Sequence, residues 1–158
     1  MISKTKIVKF EARRWQRDAF TVIDNYKDGV VPVNACVGSG KTVVACYALG
    51  KFIVDNKDNK TVQLFVTPRI RLCDQQNKEI ETFLESEFNL TNGPDYAIVG
   101  VDCTKHQYNK KSDSLVSQHT IFVICDKSLW GDKTEGVNSA VRWKSWIHKF
   151  KEWQNDEF

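Results

Sequence analysis

Residues 35–42 read ACVGSGKT, and they hold the side chains best suited to chemistry in this chain. Gly38 and Gly40 let the backbone curl so that successive N–H groups face one concavity. Lys41 adds a cation on a flexible stem, able to reach the β- and γ-phosphates of a nucleotide. The Thr42 hydroxyl can ligate Mg²⁺. Ser39 offers a further polar group at the tip, and Ala35, Cys36 and Val37 complete the loop. A helix beginning at Lys41 would point its N-terminus at the same place, adding about half a positive charge. The chemistry is that of a polyphosphate cradle. The strict pattern asks for glycine at position 35. A methyl group there fits wherever φ stays negative.

Such a cradle needs a strand before it and a helix after it, and the flanks supply both patterns. Residues 30–36, VVPVNAC, are apolar and β-branched, which predicts a buried strand with Pro32 at its beginning. Residues 41–55 predict a helix, weakened slightly by Gly50. Upstream, Phe10, Trp15, Ala19, Val22, Ile23 and Tyr26 recur at helical spacing, so residues 10–26 predict an amphipathic helix. Further strands are predicted over 60–68, 96–102 and 119–126, with a helix over 69–88 and a turn over 90–95. Residues 104–114 and 130–138 read as loops. Residues 140–153 predict a last helix, whose Trp146, Phe150 and Trp153 line one face. That stripe suits packing on the domain better than base stacking. Strands alternating with helices argue an α/β fold around a parallel sheet.

Composition sets wider bounds. The 158 residues are 41% hydrophobic and 27% charged, which excludes wholesale disorder and is enough for one domain. A net charge of +3 permits nucleic-acid contact without arguing for it. The five cysteines form no CxxC pair, and read as reduced, mostly buried thiols of a cytoplasmic protein. Cys103 and His106 have no second ligand pair, so a surface loop is the better account than zinc. No apolar run approaches the ~18 residues of a membrane span.

Four segments, taken in order, resemble superfamily-two helicases of the DEAD/DEAH type. The first motif of that family often carries alanine where this chain has Ala35. The segment RRWQRDA, residues 13–19, resembles the motif that precedes the loop in the type III restriction subunit and UvrB-like group. The resemblance implies that Gln16 reads the adenine edge. VTPRIRLCDQQ resembles motif Ia, with Pro68, Arg69, Leu72 and Gln75 in register, and FVICDKSL resembles the motif that usually reads TxxSL, ending near Ser128. In the family these motifs touch the phosphates of one nucleic-acid strand, which implies contact roles for Pro68, Arg69, Arg71, Gln75 and Ser128. Arg69 and Arg71 lie where a helix dipole disfavours cations, which itself suggests a phosphate partner.

The implied fold is a P-loop NTPase (RecA-like) three-layer parallel sheet with helices on both faces, here incomplete. The implied cofactors are ATP and Mg²⁺. The expected partners are a nucleic acid, DNA ahead of RNA, and a second polypeptide or C-terminal remainder that completes the motor. Hydrolysis in the family needs an acidic strand motif, for the metal and for the attacking water. The only Asp-Glu pair is Asp156-Glu157, preceded by polar residues. Asp126 ends an apolar strand and is a lesser candidate for a metal-holding acid. The expectation is therefore the N-terminal part of a helicase ATP-binding domain over residues 1–158, without its acidic motif or second RecA-like domain, that binds nucleotide but does not turn it over. Two alternatives stay open: a non-catalytic nucleotide- or nucleic-acid-binding module, and another P-loop ATPase or kinase.

Overall fold

In the computed structural model, residues 10–101 and 118–126 are described. They form α1 (Arg14–Asn25), α2 (Lys41–Asp55), β1 (Thr61–Thr67), α3 (Ile70–Phe88), β2 (Ala97–Val101) and β3 (His119–Cys125). The three strands are parallel, in the order β1-β3-β2. Register runs from Thr61 opposite His119 to Thr67 opposite Cys125, and from Ala97 opposite Thr120 to Val101 opposite Ile124. The last strand in the chain thus takes the centre. All seven of its residues are buried, as its near-continuous apolar run requires of a strand covered on both faces.

One face of the sheet carries Phe65, Ile98, Ile121, Val123 and Cys125. It packs against Cys46, Leu49 and Ile53 of α2 and Cys73, Ile80 and Leu84 of α3. Ile80, Leu84 and Ile121 lose all solvent contact, each contributing about 1.5–3 kcal/mol of burial. Gly50 is a requirement of this packing. A β-carbon there would lie 2.5 Å from the Phe88 ring and 2.7 Å from Leu84, so α2 approaches α3 through its missing side chain.

α1 is attached differently. Its one fully buried residue is polar, Gln16, while Val22 and Tyr26 on the expected apolar face are about half exposed. A relay of rings holds it instead. Phe20 stacks on Tyr47 with centroids 3.9 Å apart, Tyr47 meets Phe88, Phe88 meets Phe83, and Phe83 meets Phe10 edge-on. The Tyr47 hydroxyl also donates to Asp24 Oδ1 at 2.8 Å. Burial and the Asp24 carboxylate push that phenol up to about 12, so the bond persists across the neutral range.

The expected strand over 30–36 does not form. These residues lie in no helix or strand, and Val30 is 83% exposed. A strand exists only where a neighbour takes its backbone groups, and among the described residues none pairs with this segment. Val31 and Val33 instead line an apolar cavity of about 450 Å³ beside Ile23, Val44 and Ala48. The expectation of mostly buried cysteines holds among the described residues: Cys46, Cys73 and Cys125 are buried, and Cys36 is exposed on the protruding loop. Burial pushes the Cys46 thiol up to about 12, which leaves it an inert core residue. Cys103, His106, Ser128 and the stripe of Trp146, Phe150 and Trp153 lie outside the described residues.

Candidate functional site

α2 begins where the glycine pattern says it should. Gly40 is its N-cap with φ +88°, and Gly38 has φ +76°, both in the left-handed region that favours glycine. No side chain caps α2, and no acidic residue lies in its first turn. Its N-terminal dipole and leading N–H groups are therefore not met by a side-chain cap, which is the arrangement that suits an anion. Nothing lies within 4 Å of the space a Gly38 β-carbon would fill, and Val37 at the tip is 97% exposed. The cradle is open and of the right kind for a polyphosphate.

The loop's polar side chains are partly committed to its own shape. Ser39 donates through its backbone N–H and its hydroxyl to the Cys36 carbonyl, at 3.3 and 2.6 Å, which closes the turn. Lys41 is exposed and donates to the Ala35 carbonyl at 2.7 Å, a solvent-facing bond that a phosphate oxygen can replace. Lys41 meets position 35 through its backbone alone. Among the described residues, Asn89 is the one non-glycine with positive φ, so Ala35 is unstrained. These two facts explain why alanine serves where the pattern asks for glycine. Thr42 is half-buried in the first turn of α2. Among the described residues, no group of three His, Cys, Asp or Glu could hold a metal. A divalent cation here would rest on Thr42 and the substrate's own phosphates, the manner in which Mg²⁺ is commonly held.

Two residues of α1's N-terminus close on the loop from behind. Gln16, 2% exposed, donates through Nε2 to the Gly40 carbonyl at 3.0 Å and accepts at Oε1 from the Arg13 backbone N–H at 2.8 Å. Arg13 donates through Nη1 to the Ser39 carbonyl at 3.1 Å. Arg13 carries no motif signal of its own and lies three residues before Gln16 within RRWQRDA.

The motif Ia residues lie at the C-terminal end of β1. Pro68 and Arg69 are exposed, and Arg69 is the N-cap of α3, where its carbonyl accepts from the Thr67 hydroxyl at 3.1 Å. Arg71 and Gln75 are exposed one turn apart, followed by exposed Lys78 on the same face. Gln75 donates to Glu79 at 2.6 Å. Asp126 follows β3 at the same end of the sheet, its Oδ1 3.5 Å from Cys125 Sγ.

A parallel sheet flanked by helices, with a glycine-shaped loop opening an uncapped helix, defines an incomplete RecA-like P-loop domain. The family model described as DEAD/DEAH box helicase matches residues 13–141, from Arg13 behind the loop to beyond β3. The chain belongs to that family. No curated protein and no solved structure matches it. DEAD/DEAH helicase domains use ATP and Mg²⁺ and interact with nucleic acid.

Proposed function

We propose that this chain is the nucleotide-gripping part of an ATP-dependent helicase or translocase, and that residues 35–42 bind the polyphosphate of ATP. The observation that carries this is the open N-terminus of α2, uncapped and shaped by Gly38 and Gly40, with Lys41 exposed beside it. The backbone N–H groups and helix dipole would receive the phosphates, Lys41 would exchange its bond to Ala35 for a phosphate oxygen, and Thr42 would orient the metal. Bound Mg²⁺ would neutralise phosphate charge. Pro68, Arg69, Arg71 and Gln75 form the proposed contact with one nucleic-acid strand, DNA ahead of RNA, through its phosphates. The 158 residues hold no Asp-Glu pair behind an apolar run, so the activity proposed for the chain is binding, with turnover resting on acidic groups supplied from elsewhere.

The test is a titration of the chain with ATP and Mg²⁺, read by calorimetry. Saturable binding that disappears in Lys41→Ala, with an unchanged far-UV spectrum, is the expected result. Absence of binding in the unmodified chain refutes the assignment, and so does affinity that survives Lys41→Ala.

A further inference from the structure

The apolar cavity of about 450 Å³ lies between α1, α2 and the segment that leads into the phosphate loop. Its walls are Ile23 and Tyr26 of α1, Val31 and Val33, and Ala45 and Ala48 of α2. Tyr26 and Val33 line it and are still exposed, so it opens to solvent as a groove. An open apolar groove of this size is suited to binding. A cavity of about 150 Å³ takes one benzene ring, so this one has room for about three. Along α2 the groove runs from Lys41 to Ala48, about 10.5 Å of helix.

We infer that residues 140–153 of this same chain dock in the groove as an amphipathic helix, with Trp146, Phe150 and Trp153 inserted between α1 and α2. This segment lies outside the described residues, and pattern, size, charge and tether all point to it. The three rings recur at i, i+4 and i+7, a stripe as long on a helix as the groove is along α2. Ala45 and Ala48 leave the space that such rings need, the pairing of small with large residues that dense packing uses. Charge is complementary. The segment carries Arg142, Lys144, Lys149 and Lys151 against Glu152. Beside the groove, residues 18–28 carry Asp18, Asp24 and Asp28, all exposed, against Lys27. Lys41, the lining cation, donates to the Ala35 carbonyl. The tether is long enough. β3 ends at Cys125, and residues 126–139 can span roughly 45 Å when extended. A domain of this size is about 35 Å across. The inference stands apart from the phosphate assignment.

The probe is the dye anilinonaphthalene sulfonate, which brightens on exposed apolar surface. It is titrated into the full chain and into a Trp146→Ser/Phe150→Ser/Trp153→Ser variant. The expected result is little emission from the unmodified chain and a several-fold rise in the variant, with an unchanged far-UV spectrum. Adding Val33→Glu to the variant should remove that rise. An unmodified chain as bright as the variant overturns the inference, because the groove is then open, and so does a variant that stays dark. Brightness that survives Val33→Glu overturns it too, since the dye then sits elsewhere. If the triple variant does not fold, Val33→Glu alone decides, because Val33 is exposed and lies in no helix or strand. Expelling the segment should then shift tryptophan emission to the red, and unchanged emission overturns the inference. Two other occupants have their own signatures. A dimer in sedimentation whose dilution brightens the dye gives the groove to a second copy. Loss of single-strand binding in the triple variant, with the dye still dark, gives the stripe to base stacking. Either result overturns the inference.

Discussion

Alanine at Gly40 should cost more than alanine at Gly38, and the difference isolates the contact with Gln16. Both glycines have positive φ, +76° and +88°. A β-carbon in that region costs about 1–2 kcal/mol at either site. At Gly38 this is the whole cost, because nothing lies within 4 Å of the added atom. At Gly40 the added atom meets Gln16 Nε2 at 2.6 Å, so the amide must leave the Gly40 carbonyl. Losing that bond costs about 0.5–1.5 kcal/mol, and a buried amide left without a partner about 1–3 kcal/mol. The two penalties overlap, so Gly40→Ala should be less stable than Gly38→Ala by about 1–3 kcal/mol. Urea denaturation of both variants reads this as a midpoint difference of at least about 0.5 M. In a Gln16→Ala background the excess should vanish, which is the coupling that a double-mutant cycle measures. Equal midpoints for the two glycine variants in the unmodified background would refute the reasoning.

Gly50→Ala should destabilise by about 1–2 kcal/mol. The gain in helix propensity is about 1 kcal/mol, and crowding against Phe88 and Leu84 at 2.5 and 2.7 Å outweighs it. A raised denaturation midpoint would show that the Phe88 ring yields. Asn77 is 4% exposed, with neither side-chain polar atom hydrogen-bonded. Asn77→Leu should therefore be neutral or stabilising by up to about 2 kcal/mol in the same assay, and a loss above about 1 kcal/mol would contradict it. Stability should fall on acidification below about pH 6.5. Burial of His119 lowers its folded pKa, more than nearby Asp95 raises it, so in that window the unfolded chain binds the extra proton. His119→Gln should flatten the slope. On the alkaline side, Cys46 contributes stability that is complete below about pH 9 and lost as pH rises toward its folded value of about 12. Arg69→Ala should weaken single-strand binding alike for all sequences and reduce its salt dependence by about one ion, and an unchanged salt slope would remove Arg69 from the proposed contact.

Much of this domain could be read from residue order. The α2 helix occupies the predicted residues 41–55, and β1, α3, β2 and β3 fall within a residue or so of their predicted limits. The glycine positions of the loop and the start of α2 behind them also follow from local pattern. These features depend on near neighbours. A helix closes its hydrogen bonds four residues back, and a glycine's tolerance of positive φ is a property of that residue alone.

Tertiary structure decided the rest. Residues 30–36 have the composition of a strand, yet composition cannot supply the second strand that pairing requires. The central place of β3 depends on which distant segments meet, and no periodicity within one strand encodes it. Spacing marked Trp15, Val22 and Tyr26 as the covered face of α1, whereas the buried residue is Gln16, because its amide reaches the Gly40 carbonyl 24 positions away. The sequence alone determined the loop and the helix it opens. Only the folded chain determined what stands behind that loop, since a side chain's hydrogen-bond partner is set by proximity in space and is invisible to local pattern.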